Sequence, residues 1–232
     1  MEKKILYHGS NVVIEKPKFG QGNTYNDYGK GFYCTEEVEL AKEWACTDQN
    51  SGFANKYSLD ISSLKILNLS DEKYSILHWL AILINNRSFR INNQLASQAK
   101  EYLLNYFLLD ISEYDVIIGY RADDSYFSFA MDFLNNVISL SQLERAMYLG
   151  KLGEQFVLKS QKSFALLEYV NSEIAKGEIY YLKRATRDEL ARESYFANEK
   201  ETNRASADLF MIDILRGEMM PDDSRLQRKV FK

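Results

Sequence analysis

The chain has 232 residues, 46% of them hydrophobic and 27% charged, a composition that excludes disorder and supplies one core with an appendage. Its net charge of −4 excludes a surface built for broad phosphate coverage, although a local basic groove is compatible with an acidic average. Two cysteines and two histidines without ligand spacing argue against a zinc centre, so no metal is expected.

In chain order, Met1-Glu2-Lys3-Lys4 runs straight into a short apolar strand, Ile5 to Tyr7. Nothing there resembles a secretory leader, and a reducing cytoplasm is the expected compartment. The stretch from His8-Gly9-Ser10 to Gly31 holds five of the eleven glycines among Asn and Asp, which predicts a long shaped loop. Thr35 then stands as the cap of a helix opening at Glu36 and Glu37, with Val38, Ala41, Trp44 and Ala45 on one stripe.

Period-two alternation predicts a strand over Phe53 to Ile61, and a second follows from Lys65 to Leu69. Ser70 is placed to cap a helix carrying Ile76, Leu77, Leu80 and Leu83. The apolar run from Ile76 to Ile84, broken by His78, is about half of a bilayer crossing, so it reads as a buried helix and no membrane span is expected. A further helix is predicted over Gln94 to Leu108, and the β-branched run Tyr114 to Gly119 as a buried strand that ends at Arg121-Ala122-Asp123-Asp124. Helices follow over about Tyr126 to Val137 and Ser141 to Leu149. Strands are expected at Gln155 to Lys159, Ala165 to Val170 and Ile179 to Leu182, and charged helical sequence from Thr186.

A nucleotide substrate needs hydrogen bonds to ribose hydroxyls, backbone groups for a carboxamide and a flat aromatic wall for a pyridinium ring. His8, Gly9 and Tyr33 are the residue types for these tasks. A cationic ring on an aromatic face gains about 0.5 to 2 kcal/mol. That gain favours the ground state, so rate must come from groups that bind a developing oxocarbenium ion. His78 reads as packed rather than as a base, and Cys34 as a small filler.

Leu6-Tyr7-His8-Gly9-Ser10, then Gly29-Lys30-Gly31-Phe32-Tyr33, then Ala41 to Trp44 resembles the ADP-ribosyltransferase superfamily in its poly(ADP-ribose) polymerase and diphtheria-toxin branch, which carries a His-Tyr-Glu signature. The resemblance covers residues 1 to about 170, in a bacterial toxin-like subfamily. It implies an α+β fold, a split β-sandwich of two mostly antiparallel sheets holding NAD in the cleft between them. The expected domain spans 1–175, with a helical insertion over about 70–150 and a mainly helical appendage over 176–232.

Carried over by motif position, His8 meets the adenosine ribose, Gly9 holds the nicotinamide carboxamide with Ser10 in support, Gly31 belongs to the cofactor clamp, and Tyr33 and Trp44 sandwich the ring. Gln155 takes the third signature place, where the family has an acid. A Gln still bonds the ribose 2′-hydroxyl but brings no charge. Asp123 and Asp124 are candidates for the missing acidity or for acceptor contacts, or else a helix cap with first-turn charge. The implied activity is a toxin-like mono-ADP-ribosyltransferase that uses NAD as co-substrate and transfers to a protein or nucleic acid acceptor, with a cognate inhibitor or antitoxin as a further partner. The alternative is a catalytically silent NAD-binding or partner-binding module.

Overall fold

The structure, a computed structural model, describes residues 2–47, 50–91, 93–149, 153–201 and 208–227, the side chains of 124 and 198–201 lying outside that description. Strand β1 (Lys3–Ser10) is longer than Ile5 to Tyr7, because it pairs along its whole length with β3 (Gly52–Asp60), from Lys3 opposite Asp60 to Ser10 opposite Phe53. His8, Gly9 and Ser10 are therefore strand residues. β7 (Leu167–Ala175) lies antiparallel on the other edge of β3, with Val170 left over between the Lys56–Asn171 and Tyr57–Tyr169 pairs as a bulge.

The second sheet runs in the order β2 (Phe32–Cys34), β6 (Glu154–Leu158), β5 (Val116–Tyr120), β4 (Ile66–Asn68); only β4 and β5 are parallel. One bridge ties the sheets together: Tyr7 and Thr35 exchange backbone hydrogen bonds of 2.7 and 2.9 Å. It sits beside His8 and Tyr33, so the sheets meet where the motifs lie.

Between the sheets, Leu6 and Leu59 pack against Cys34, Val116, Ile118, Phe156 and Leu158. Ile117, Val157 and Tyr120 point the other way into a larger core with α2 (Ile76–Asn86), α3 (Gln94–Tyr106), α4 (Asp124–Leu134) and α5 (Leu140–Ala146). β5 is thus covered on both faces, which is why every residue of it is buried and its sequence is a β-branched run. Each fully buried Leu or Ile contributes roughly 1.5 to 3 kcal/mol to the packing of these layers. His78 and Cys34 lie inside the core as expected, and burial pushes the Cys34 thiol up and the His78 imidazole down from their ordinary pKa values.

Four local expectations need correction. Ser70 does not cap α2: Ser75 stands at its N-cap, and the Ser70 hydroxyl is given to the Glu154 carboxylate. The helix expected at Glu36 starts at Val38 as α1 (Val38–Ala45), although the Thr35 hydroxyl accepts the Glu37 N–H at 3.1 Å. After α6 (Gln161–Ala165) and β7, Ile179 to Leu182 form no strand but the first turns of α7 (Gly177–Glu201), a 25-residue helix. The Ile-Tyr-Tyr-Leu run has local strand preference, and the long helical sequence beyond it overrides that preference.

Lastly, the segment over 70–150 holds α2 to α5 but is threaded by β5, so it contributes a sheet strand as well as helices. α7 packs on α1 and α4, and α8 (Met211–Arg216) on α3, so the C-terminal segment rests on the main body. No helix among the described residues is long and apolar enough to cross a membrane. The described residues contain no group of three or more His, Cys, Asp or Glu able to hold a metal ion.

Candidate functional site

A cavity of about 510 Å³ opens where β1 and β2 meet. His8 and Gly9 line it from β1, Gly31, Phe32 and Tyr33 from the entry to β2, Trp44 from α1, Gln155 from β6, Asp123 from the segment after β5, and Arg184 from α7. Seven of the residues singled out from sequence share this one wall. Its size falls within the ordinary range for small-molecule sites.

Each side chain is held by its own element. His8 Nδ1 lies 2.7 Å from the Tyr33 carbonyl and its ring stacks on Phe32 at 4.2 Å, so β1 and β2 fix the imidazole between them. Burial lowers its pKa, against an opposing pull from that carbonyl, leaving the ring neutral near pH 7. The Tyr33 hydroxyl donates to the Gly29 carbonyl at 2.6 Å and accepts the Tyr28 N–H at 3.1 Å; it pins the loop, and burial raises its pKa.

Gly9 has a packing cause: a Cβ there would lie 2.0 Å from the Ala41 carbonyl oxygen and 2.8 Å from the Ala45 nitrogen. The strand must run against the backbone of α1. Gly31 is similarly confined, a Cβ meeting the Val157 side chain at 2.6 Å. Trp44 lines the cavity with the Arg121 guanidinium lying over its ring, so that face already carries a cation.

Two expected residues stand apart. Ser10 is off the cavity wall: its hydroxyl donates to the Val12 carbonyl at 2.5 Å and accepts from Asn55 Nδ2 at 2.9 Å. Asp124 opens α4, and its side chain lies outside the described residues. Asp123 occupies the N-cap position without a capping hydrogen bond and pairs with Arg121 instead. Burial pushes Arg121 down to about 10, which leaves it charged at neutral pH.

Gln155 is 3% exposed. Its amide nitrogen donates to Asp27 Oδ2 at 2.9 Å and to the Tyr120 carbonyl at 3.4 Å, which consumes both hydrogens. No described residue donates to its Oε1, the atom left to accept from a ligand hydroxyl. Glu154 faces away toward Ser70, as strand alternation requires.

Sequence reasoning missed Asp27, Arg87, Arg121, Arg184 and Lys18, all on the cavity wall. Asp27 sits in a loop of turn-forming residues and reads as turn chemistry. The cations are scattered through the chain, and only the fold collects them. It also missed Asn55, a buried amide that takes the Ile14 N–H at 3.0 Å and the Ser172 hydroxyl at 2.8 Å while donating to Ser10, and so fixes the start of the loop over 11–31. A second cavity, about 800 Å³, lies on the far side of that loop between α2, residues 108–112 and α6; Gly31 lines both.

The fold and site define a class: a two-sheet α+β protein whose sheets meet at a cation-walled cavity carrying a buried amide and a partly buried carboxylate. Residues 4–169 match the family described as "Protein of unknown function (DUF3990)", and the chain belongs to that family. Arg184 and the whole of α7 lie beyond the matched span. No curated protein and no solved structure matches the chain.

Proposed function

We propose that the protein is an NAD-dependent mono-ADP-ribosyltransferase with an ADP-ribosyltransferase-like sandwich. The observation that carries this reading is the convergence of His8, Gly9, Gly31, Tyr33, Trp44 and Gln155, drawn from segments up to 147 residues apart, on one cavity. Four cations, Lys18, Arg87, Arg121 and Arg184, share it with only two carboxylates, Asp27 and Asp123. That balance suits the diphosphate of a dinucleotide, since Arg binds phosphate oxygens through paired donors.

In the proposed reaction the bond between nicotinamide N1 and ribose C1′ breaks and its electron pair leaves with neutral nicotinamide. C1′ is left as an oxocarbenium ion, and an acceptor O–H, N–H or S–H forms the new bond to C1′ and loses its proton to solvent. His8 and the backbone at Gly9 fix the two ends of the dinucleotide, and Gln155 Oε1 takes the ribose 2′-hydroxyl. A partly buried carboxylate on the wall favours the cation that develops at C1′.

The test incubates purified protein with NAD labelled in its adenylate phosphate and a cell lysate, then follows nicotinamide release and label in the protein, RNA and DNA fractions. Transfer to one fraction is expected, and His8→Ala and Tyr33→Ala should each lower nicotinamide release about 100-fold. A second reading, a silent NAD-binding module, is favoured by the Arg121 guanidinium lying on the Trp44 face. It prevails if calorimetry shows NAD binding while neither release nor transfer occurs.

A further inference from the structure

We infer that Asp27 is the acid of this site, a catalytic carboxylate that supplies the negative charge Gln155 lacks. The inference rests on the ribosyl-transfer reading above. Asp27 lines the cavity and is joined directly to Gln155: Oδ2 accepts the Gln155 amide at 2.9 Å and the Ala122 N–H at 2.9 Å. These two bonds hold the carboxylate rigidly against the residue that faces the ribose.

The rival carboxylate is Asp123, and it is spent on Arg121 in a close ion pair. Asp27 is freer. Its Oδ1 meets Arg87 Nη1 only at 3.4 Å, longer than a charge-assisted hydrogen bond, because the same nitrogen donates to the Ala122 carbonyl at 2.6 Å. The charge of Asp27 is therefore less neutralised than that of Asp123 by its nearest cation, and its side chain, 12% exposed, lies on the cavity wall, where partial burial strengthens a carboxylate's action on a developing cation. Loss of nicotinamide leaves one positive charge at C1′; Asp27 faces it, and no proton moves to or from Asp27 in that step.

The pairing also predicts that the site is balanced for one carboxylate. Placing a second at 155 would set two acids within hydrogen-bond distance, and such a pair keeps a proton between them. Exchange of the two groups across the same hydrogen bond, in contrast, conserves the charge.

The experiment compares the full-length wild type, Asp27→Asn, Gln155→Glu and the exchanged double variant, with NAD as probe and nicotinamide release as readout; thermal unfolding of each protein checks the fold. Asp27→Asn should lose about 100- to 1,000-fold in kcat with KM for NAD within about threefold. Gln155→Glu should give no gain in the wild-type background yet raise kcat at least about tenfold in the Asp27→Asn background. The part of the acid limb set by Asp27 should be lost in Asp27→Asn, leaving the part set by His8. The charged and titratable groups facing Asp27 that stay in both proteins are Arg87 at the C-cap of α2, Arg121 after β5, and Tyr28 and Tyr33 from the loop and β2; His8 lines the same cavity.

An Asp27→Asn protein that folds and keeps kcat within threefold overturns the inference while leaving the transferase reading intact, as does an effect of Gln155→Glu that is equal in both backgrounds. Absence of any wild-type nicotinamide release takes down both.

Discussion

Gly9 shows how one atom decides between packing and chemistry. A Cβ there collides with two backbone atoms of α1, Ala41 O and Ala45 N, neither of which can rotate away. Gly9→Ala should cost at least about 3 kcal/mol of stability, the upper end for overpacking, measured by urea unfolding without NAD. Gly20 has positive φ but open space around it, so Gly20→Ala should cost only about 1 to 2 kcal/mol. His8, Tyr33 and Gln155 could be picked from the sequence as residues of this cavity wall because each lies in a strand segment carrying a short recognisable motif. Asp27 could not, since an Asn-Asp pair among glycines looks the same in sequence whether it turns the chain or faces a ligand. Its partners, Gln155 and Ala122, are 128 and 95 residues away.

The elements whose periodicity and burial agree, β3, β5 and α3, were legible within a few residues, α2 in its body but not its start, and the other failures fall where a short run met a longer context. α7 is the clearest case: residues 179–182 carry strand preference, yet they continue into a long helical sequence that is anchored on α1 and α4 at a few buried positions, Ala191 and Tyr195 among them. One contact is decisive. Glu43 on α1, its side chain 2% exposed, is held by Arg187 through Nε–Oε2 at 2.9 Å and Nη2–Oε1 at 2.6 Å. Arg187→Ala leaves a buried carboxylate without that partner and should cost about 3 kcal/mol, the low end for breaking a buried pair because Arg187 keeps some solvent. The same change should weaken the NAD binding proposed above by loosening Arg184 one turn earlier. Equilibrium unfolding and calorimetry check the two effects.

At the scale of the whole molecule, the mixed α+β character was legible from periodicity and the two sheets were implied by the resemblance, whereas the placement of the C-terminal quarter was not, because sequence gives no sign of which face α7 covers. Solution pH bears on the assembled fold. Burial lowers both histidines, His8 and His78, below the ordinary value of 6.5, so between 6.5 and their folded values the unfolded chain binds more protons. Stability therefore rises with pH up to about 6.5 and is flat above it as far as these groups are concerned. Asp27 and Asp132 are raised from 3.8 by burial and act oppositely in the lower window, where the folded state holds their protons better. The expected outcome is a decline in urea midpoint on acidification from pH 6.5, and a shallower decline in the His8→Gln, His78→Gln double variant.

The cavity draws its first wall residue from position 8 and its last from position 184. A polypeptide emerging from the ribosome therefore possesses no complete chamber until α7 has been synthesised and has docked, and contacts of such long range form late in folding. A copy that stops short of α7 lacks Arg184 and with it one of the four cations of the wall.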